Sequence, residues 1–245
     1  MDYEGKHFWL VGASTGIGRE LALELGRRGA KLTLSARTES KLNELKEEIG
    51  EAARVAALDV TDPDAVQAVV AGLGDVDGVV YLAAAYQPES GIDEFTPERI
   101  HQMVQINLTG AIYVVEACKS KLRQRAGSLL AIYASIAGYR GLPNGQPYSA
   151  TKAGLINYAE SLRTELAGEV LVKVINSGFV DTRLTQKNDF EMPMLMTPEA
   201  AAVRIADKLM KPSFEIAFPA RFAFVAKLLR LCPNWLFFRI SKRLR

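Results

Sequence analysis

Tyr148 and Lys152 stand four residues apart in Tyr148-Ser149-Ala150-Thr151-Lys152, a spacing that a helix converts into two side chains on one face. A phenol in water titrates at about 10, too high for a base near neutrality. A fixed ammonium beside it favours the phenolate and desolvation opposes it, so the pair can set a phenol for proton transfer. Alone, the pattern also describes an exposed helix pair. A second constellation lies near the N-terminus. There Gly12-Ala13-Ser14-Thr15-Gly16-Ile17-Gly18 follows an apolar run and leads into Arg19-Glu20-Leu21-Ala22-Leu23. Missing side chains let a backbone approach a phosphate, and the free N–H groups and dipole of a helix starting there attract one. Gly12, Ser14, Thr15, Gly16, Ile17 and Gly18 are therefore candidate pyrophosphate contacts, the alternative being a tight structural turn.

Both constellations depend on the elements around them. Apolar runs of strand length alternate with segments of helical period: 6–11 then 16–28, 31–36 then 39–49, 55–58 then 63–73. The alternation continues with strand 78–83, a long helix 97–123, strand 128–133, helix 148–166, strand 170–175, helix 198–210 and strand 214–218. Strands such as Leu129-Leu130-Ala131-Ile132-Tyr133 are apolar on both faces, as a parallel sheet covered on each side requires. With right-handed crossovers the expected fold is α/β: a single Rossmann-type doubly wound, mainly parallel sheet of about seven strands with helices on both faces. The glycine loop then falls between the first strand and first helix, where a dinucleotide binds. Folds that prefer NAD place an acid about 20 residues further on, against the ribose 2′-hydroxyl. This chain has Ser35-Ala36-Arg37-Thr38 there, with no acid. Arg37 can pair with a 2′-phosphate, so the expected cofactor is NADP(H); a solvated charge at a helix entry is the alternative.

At 245 residues, 49% hydrophobic and 24% charged, the chain fits one large domain and excludes disordered and collagen-like classes. Two distant cysteines and two histidines offer no metal cluster and point to a reducing, cytoplasmic setting. The acidic start Met1-Asp2-Tyr3-Glu4 is unlike a signal peptide, and no apolar run reaches the roughly 18 residues of a membrane span.

These motifs stand in the order found in the short-chain dehydrogenase/reductase family, which the chain resembles over about residues 5–219. The resemblance rests on the loop Gly12 to Gly18, Leu58-Asp59-Val60, Ile106-Asn107, Ser135, and Tyr148 with Lys152. It implies hydride transfer between NADP(H) and a carbonyl or alcohol carbon. Tyr148 would pass the proton, Ser135 hold the substrate oxygen, and Lys152 tune the phenol and hold the nicotinamide ribose. Asn107 would support a water chain from the lysine, or serve as a packed structural amide. Asp59, with Val60 beside it, would meet the adenine ring, although Asp59 also reads as the cap of the next helix. Ala83, Ala84, Gly178, Val180 and Thr182 complete the implied cofactor contacts. Two departures stand out: Leu82-Ala83-Ala84 replaces an Asn-Ala-Gly, and Ser177 replaces a proline before Gly178. A homodimer or homotetramer, joined through the two long helices, is also implied.

Two segments remain. Between Thr182 and Pro198 lie Phe190, Met192, Met194, Leu195 and Met196, adaptable apolar side chains that suggest a lid over a hydrophobic, lipid-like substrate or simply cover the core. Tyr139 and Leu142 are candidates for the same pocket. Residues 1–219 are expected to form the catalytic domain and 220–245 a helical tail with seven basic and no acidic residues; the rest carries 23 basic against 28 acidic, net −5. The tail groups Lys227 and Arg230 against Phe224, Val225, Leu228 and Leu229, then Arg239, Lys242 and Arg243 against Phe237, Ile240 and Leu244. Such helices settle at anionic membrane surfaces or pack on the body or a second subunit. A nucleic-acid partner would need basic residues spread over a folded face, which the charge pattern does not offer. A membrane-surface module that holds NADP(H) without turnover is the competing reading.

Overall fold

The computed structural model describes residues 3–87, 95–141, 143, 145–187 and 191–242. Seven parallel strands form one sheet: β1 (His7–Val11), β2 (Lys31–Ser35), β3 (Ala53–Val55), β4 (Gly78–Tyr81), β5 (Ser128–Tyr133), β6 (Val170–Ser177) and β7 (Glu215–Phe218). Their order is β3-β2-β1-β4-β5-β6-β7, so the winding reverses between β1 and β4 and opens a crevice beyond their C-terminal ends. The helices are α1 (Gly16–Arg27), α2 (Glu39–Ile49), α3 (Pro63–Gly72), α4 (Pro97–Val104), α5 (Gly110–Gln124), α6 (Tyr148–Glu165), α7 (Pro198–Leu209), α8 (Ala220–Leu231) and α9 (Asn234–Ser241).

Strand residues alternate between two cores because successive side chains leave opposite faces. Trp9, Val11, Val79, Leu130, Ile132 and Val172 join residues of α3, α5 and α6. Phe8, Leu10, Val80, Leu129, Ala131 and Ile216 pack with α1, α2 and α7. This double covering accounts for the unbroken apolar strands.

Three expectations change. The third strand is Ala53–Val55 and not 55–58, because the edge register pairs Leu32 with Ala53. Ala56 and Leu58 still donate backbone bonds to Leu34 and Ala36, at 2.9 and 3.0 Å, so the chain runs alongside β2 as far as the crevice. The 97–123 helix is interrupted by a π-helical turn, Gln105–Thr109. Asn107 sits at its centre: Nδ2 donates to the Ala85 carbonyl at 2.9 Å and to Thr151 Oγ1 at 3.1 Å, and Oδ1 accepts from Ala85 N at 2.7 Å. Its amide thus ties the exit of β4 to α6, and a widened turn lets the side chain reach both. The cap of α3 is Asp62, whose carboxylate accepts from the Asp64 and Ala65 amides; the Asp59 carboxylate instead accepts from the N–H and the hydroxyl of Thr61.

Candidate active site

At the β1/β4 crevice the structure has a cleft of about 950 Å³. The glycine loop forms its floor. A Cβ on Gly12 would stand 2.5 Å from Ala83 N, and one on Gly18 would stand 2.1 Å from the Gly12 carbonyl oxygen, so helix, strand and β4 exit meet at backbone distance. Thr15, the N-cap of α1, makes no side-chain cap bond, and the first turn holds no acid. Its amides are left to a ligand with negative charge, and a dinucleotide pyrophosphate fits this cradle.

Gly18→Ala should therefore weaken dinucleotide binding at least about tenfold, because its methyl meets backbone that cannot rotate away. Gly72→Ala, where a Cβ meets nothing within 4 Å, is the matched control. Fluorescence titration with a reduced dinucleotide reads both, and unchanged affinity in Gly18→Ala would refute the cradle.

The other expected cofactor contacts reach the same cleft. Ser14, Thr15, Gly16, Ile17, Arg37, Asp59, Val60, Ala83, Ala84, Gly178, Val180 and Thr182 all line it. Arg37 is exposed there, and Lys41 of α2 lines the same end. Lys41 was not foreseen: it lies inside a helix and signals nothing until α2 is placed against the loop. Leu82, one of the departures, is buried in the α1/α7 core. The other, Ser177, bonds the Tyr133 phenol through its hydroxyl, while its carbonyl accepts from Ser135 Oγ at 3.3 Å.

Tyr148 and Ser135 face the cleft, and Tyr86 meets the Tyr148 ring edge-on at 4.9 Å between centroids. Ser135 is held by its bond to Ser177 O and by the Ala137 amide, which donates to its hydroxyl at 3.1 Å. Lys152 lies behind Tyr148, fully buried; its Nζ donates to the Tyr133 carbonyl at 2.9 Å and sits 5.5 Å from the Tyr148 ring centre. Burial lowers the Lys152 pKa from 10.5 to about 7. Burial also drives the Tyr148 phenol above its ordinary value, the Tyr133 and Tyr86 phenols add to this, and the hydrogen bond to Ser135 opposes it. Desolvation opposes the phenolate at this position, and the fixed ammonium expected to favour it is itself disfavoured by burial. The Asn107 amide hydrogen-bonds Ala85 and Thr151.

The apolar end of the cleft comes from an unexpected source. Phe222, Val225, Ala226 and Leu229 of α8 and Phe237 of α9 line it, opposite Phe179 and Leu184. Met192, Met194, Leu195 and Met196 do not: Met194 and Leu195 are exposed and Met196 packs on the α1/α7 core, while Phe190 and Leu142 lie outside the described residues. Tyr139 does line the cleft.

Two polar clusters seat this roof. Glu215 pairs with Lys227 of α8 and accepts bonds from Tyr139 and, at 2.7 Å, from Asn176. Arg140 donates to the carbonyls of Leu229, Arg230 and Cys232 at 3.2, 3.0 and 2.6 Å, bonds Asn234 Oδ1 at 2.7 Å, and lies 4.0 Å over the Phe237 ring. A guanidinium at the α8 C-terminus satisfies orphan carbonyls and matches the helix dipole. Arg140 follows Ser135 by five residues, and both line the cleft.

Residues 6–192 match the short chain dehydrogenase family. The chain belongs to that family. It is therefore an oxidoreductase of the kind that interconverts carbonyls and alcohols with NAD(P). An uncharacterized oxidoreductase of Myxococcus xanthus is 34% identical over 244 residues, covering 96% of each chain. The 3-oxoacyl-[acyl-carrier-protein] reductase of Escherichia coli is 31% identical over 192 residues, covering 76% of this chain and 78% of that one. A crystal structure of a Burkholderia cenocepacia short chain dehydrogenase in complex with NADP superposes with a TM-score of 0.87 at 22% identity and 98% coverage of both chains, a likeness of fold that includes the C-terminal helices. Among the described residues no helix of this short-chain dehydrogenase/reductase is long and apolar enough to cross a membrane, and no cluster of His, Cys, Asp and Glu could hold a metal ion.

Proposed function

We propose that the enzyme uses NADPH to reduce a hydrophobic, lipid-like aldehyde or ketone. The observation carrying this reading is the cleft itself: a dinucleotide cradle with two cations at one end, and at the other a hydroxyl and a phenol beneath an apolar roof. NADPH, when bound, supplies the hydride. Tyr148 gives its phenolic proton to the carbonyl oxygen, Ser135 holds that oxygen, and Lys152 as ammonium stabilises the phenolate left behind. Carbon gains the hydride and oxygen the proton, which balances a two-electron reduction. A protonated phenol suits this direction. Asn107 acts as a positioning residue, tying α6 to the β4 exit.

Arg37 and Lys41 support the NADP preference, since a 2′-phosphate gains two cationic partners and meets no carboxylate from residues 35–38. NADPH should bind at least about tenfold more tightly than NADH, and Arg37→Gln should remove most of that difference. Equal dissociation constants for the two in the unmodified protein would overturn the assignment. The roof predicts selectivity by size. Each added methylene contributes about 0.8 kcal/mol when buried, so kcat/KM for NADPH consumption should climb along a series of straight-chain aldehydes until the apolar end is filled. A flat series would argue against a hydrophobic substrate. A homodimer or homotetramer built on the long helices belongs to the same reading, and light scattering of the purified chain tests it.

A further inference from the structure

The inner faces of α8 and α9 roof the cleft, and their outer faces are also apolar. On α8, Phe224 is 63% exposed and Leu231 80%, with Leu228 between them; Arg221 shares that face by spacing. On α9, Trp235 and Phe238 are 69% and 58% exposed, and Arg239 and Lys242 follow at the three- and four-residue steps that keep one face. A packed tail would have buried these aromatics. Instead Phe237 alone among the α9 aromatics is buried, under Arg140.

Charge decides what covers the face. Lys227 and Arg230 turn to the body, where they meet Glu215 and Glu160. Arg221, Arg239 and Lys242 have no carboxylate partner among the described residues and remain exposed. Residues 220–245 contain no acid, so a second copy placed face to face would oppose cation to cation. Aromatic side chains beside unpaired cations suit an anionic lipid surface, where rings enter the headgroup boundary and ammonium and guanidinium groups meet phosphates. Val225 links the two faces: it lines the cleft and is also 52% exposed, so the cleft opens beside the exposed aromatics.

We propose that the outer face of α8 and α9 docks on an anionic lipid surface and that the enzyme takes its substrate, an amphiphilic carbonyl compound, from that surface through the mouth at Val225. The delivery step rests on the reductase reading; the docking does not. It places the apolar end of the cleft against the lipid and leaves the Arg37 end to water, from which the dinucleotide arrives.

The test uses the full chain with vesicles of phosphatidylcholine containing phosphatidylglycerol, and of phosphatidylcholine alone, in sedimentation at rising salt. The wild-type protein should bind the anionic vesicles, less so as salt rises. The double variant Trp235→Ser/Phe238→Ser should lose vesicle binding by at least about tenfold, as should Leu231→Ser in part, and Arg239→Gln/Lys242→Gln should lose the preference for anionic lipid. None of these residues lines the cleft, so turnover of a short water-soluble aldehyde should not change, while KM for a long-chain aldehyde presented in anionic vesicles should rise several-fold in the double variant. Wild-type protein that ignores anionic vesicles, or a double variant that binds like wild type, overturns the docking. Loss of a dimer in the double variant without vesicle binding by wild type would assign the face to a second copy and overturn it too. Unchanged long-chain turnover in the double variant overturns the delivery step. Vesicle binding without turnover of any carbonyl refutes the reductase reading and delivery together and leaves the docking standing.

Discussion

Tyr148→Phe should lower the rate of NADPH-dependent carbonyl reduction by about a thousandfold and leave the NADPH dissociation constant within about twofold of the wild-type value. The ring stays in place, because its packing against Tyr86 and the α6 turn does not involve the oxygen. What is lost is the O–H that burial holds in its protonated form. Ser135 remains, still anchored on Ser177 O and Ala137 N, so substrate affinity should fall far less than kcat. Single-turnover measurements at saturating NADPH separate the two. A variant retaining a tenth or more of the activity would show that the proton comes from another group, and the Tyr86 or Tyr133 phenol would be the next to remove.

Lys152→Met should cost activity and add stability together. Taking an ammonium from a pKa of 10.5 in the unfolded chain to about 7 in the fold corresponds to a burial cost of up to about 5 kcal/mol when the group is charged. The native state binds fewer protons than the unfolded one between these values, so wild-type stability should rise as pH increases from about 7 towards 10.5. Below pH 7 both states are protonated and the whole cost is felt. Methionine removes that cost but leaves the Tyr133 carbonyl without its donor, a loss of about 1–3 kcal/mol. A net gain of about 2 kcal/mol at pH 6, or about 4–8 °C in Tm for a chain of this size, should vanish between about pH 8 and 9 and turn into a net loss towards pH 10.5, where only the missing donor is felt. Over the same range the wild-type reduction rate should fall as pH rises through about 7, because the phenolate then forms beside a neutral amine. Scanning calorimetry and pH–rate profiles read both. A variant no more stable than wild type at pH 6 would mean that Lys152 is solvated in the fold, and a pH-independent rate would remove its charge from the step.

How far residues announce their positions depends on what fixes them. The Gly12 to Gly18 turn and the Tyr148/Lys152 pair are local: a steric demand at a turn and a helical spacing write themselves into consecutive residues. The alternating strands and helices are likewise local in signal, since a covered parallel sheet demands apolar runs on both faces. The π-turn at Asn107 was not legible. At its centre one amide bonds both Ala85 and Thr151, partners 22 and 44 residues away, which no local pattern announces. The source of the roof is long-range in the same way. By composition the segment with Met192 to Met196 reads either as a lid or as cover for the core; Met196 does pack on the core, and α8 and α9 line the cleft, where Arg140 and Glu215 fasten them.

Sequence alone determined the fold class, the glycine turn after β1 and the helical spacing of Tyr148 and Lys152, all of which rest on short-range geometry and periodicity. Tertiary structure decided the rest: that burial opposes the charged forms of both Tyr148 and Lys152, that Lys41 joins Arg37 at the cleft, and that the tail's apolar residues divide between the cleft and the outer surface. Burial and long-range partners set these properties, and a residue acquires both only when distant segments meet.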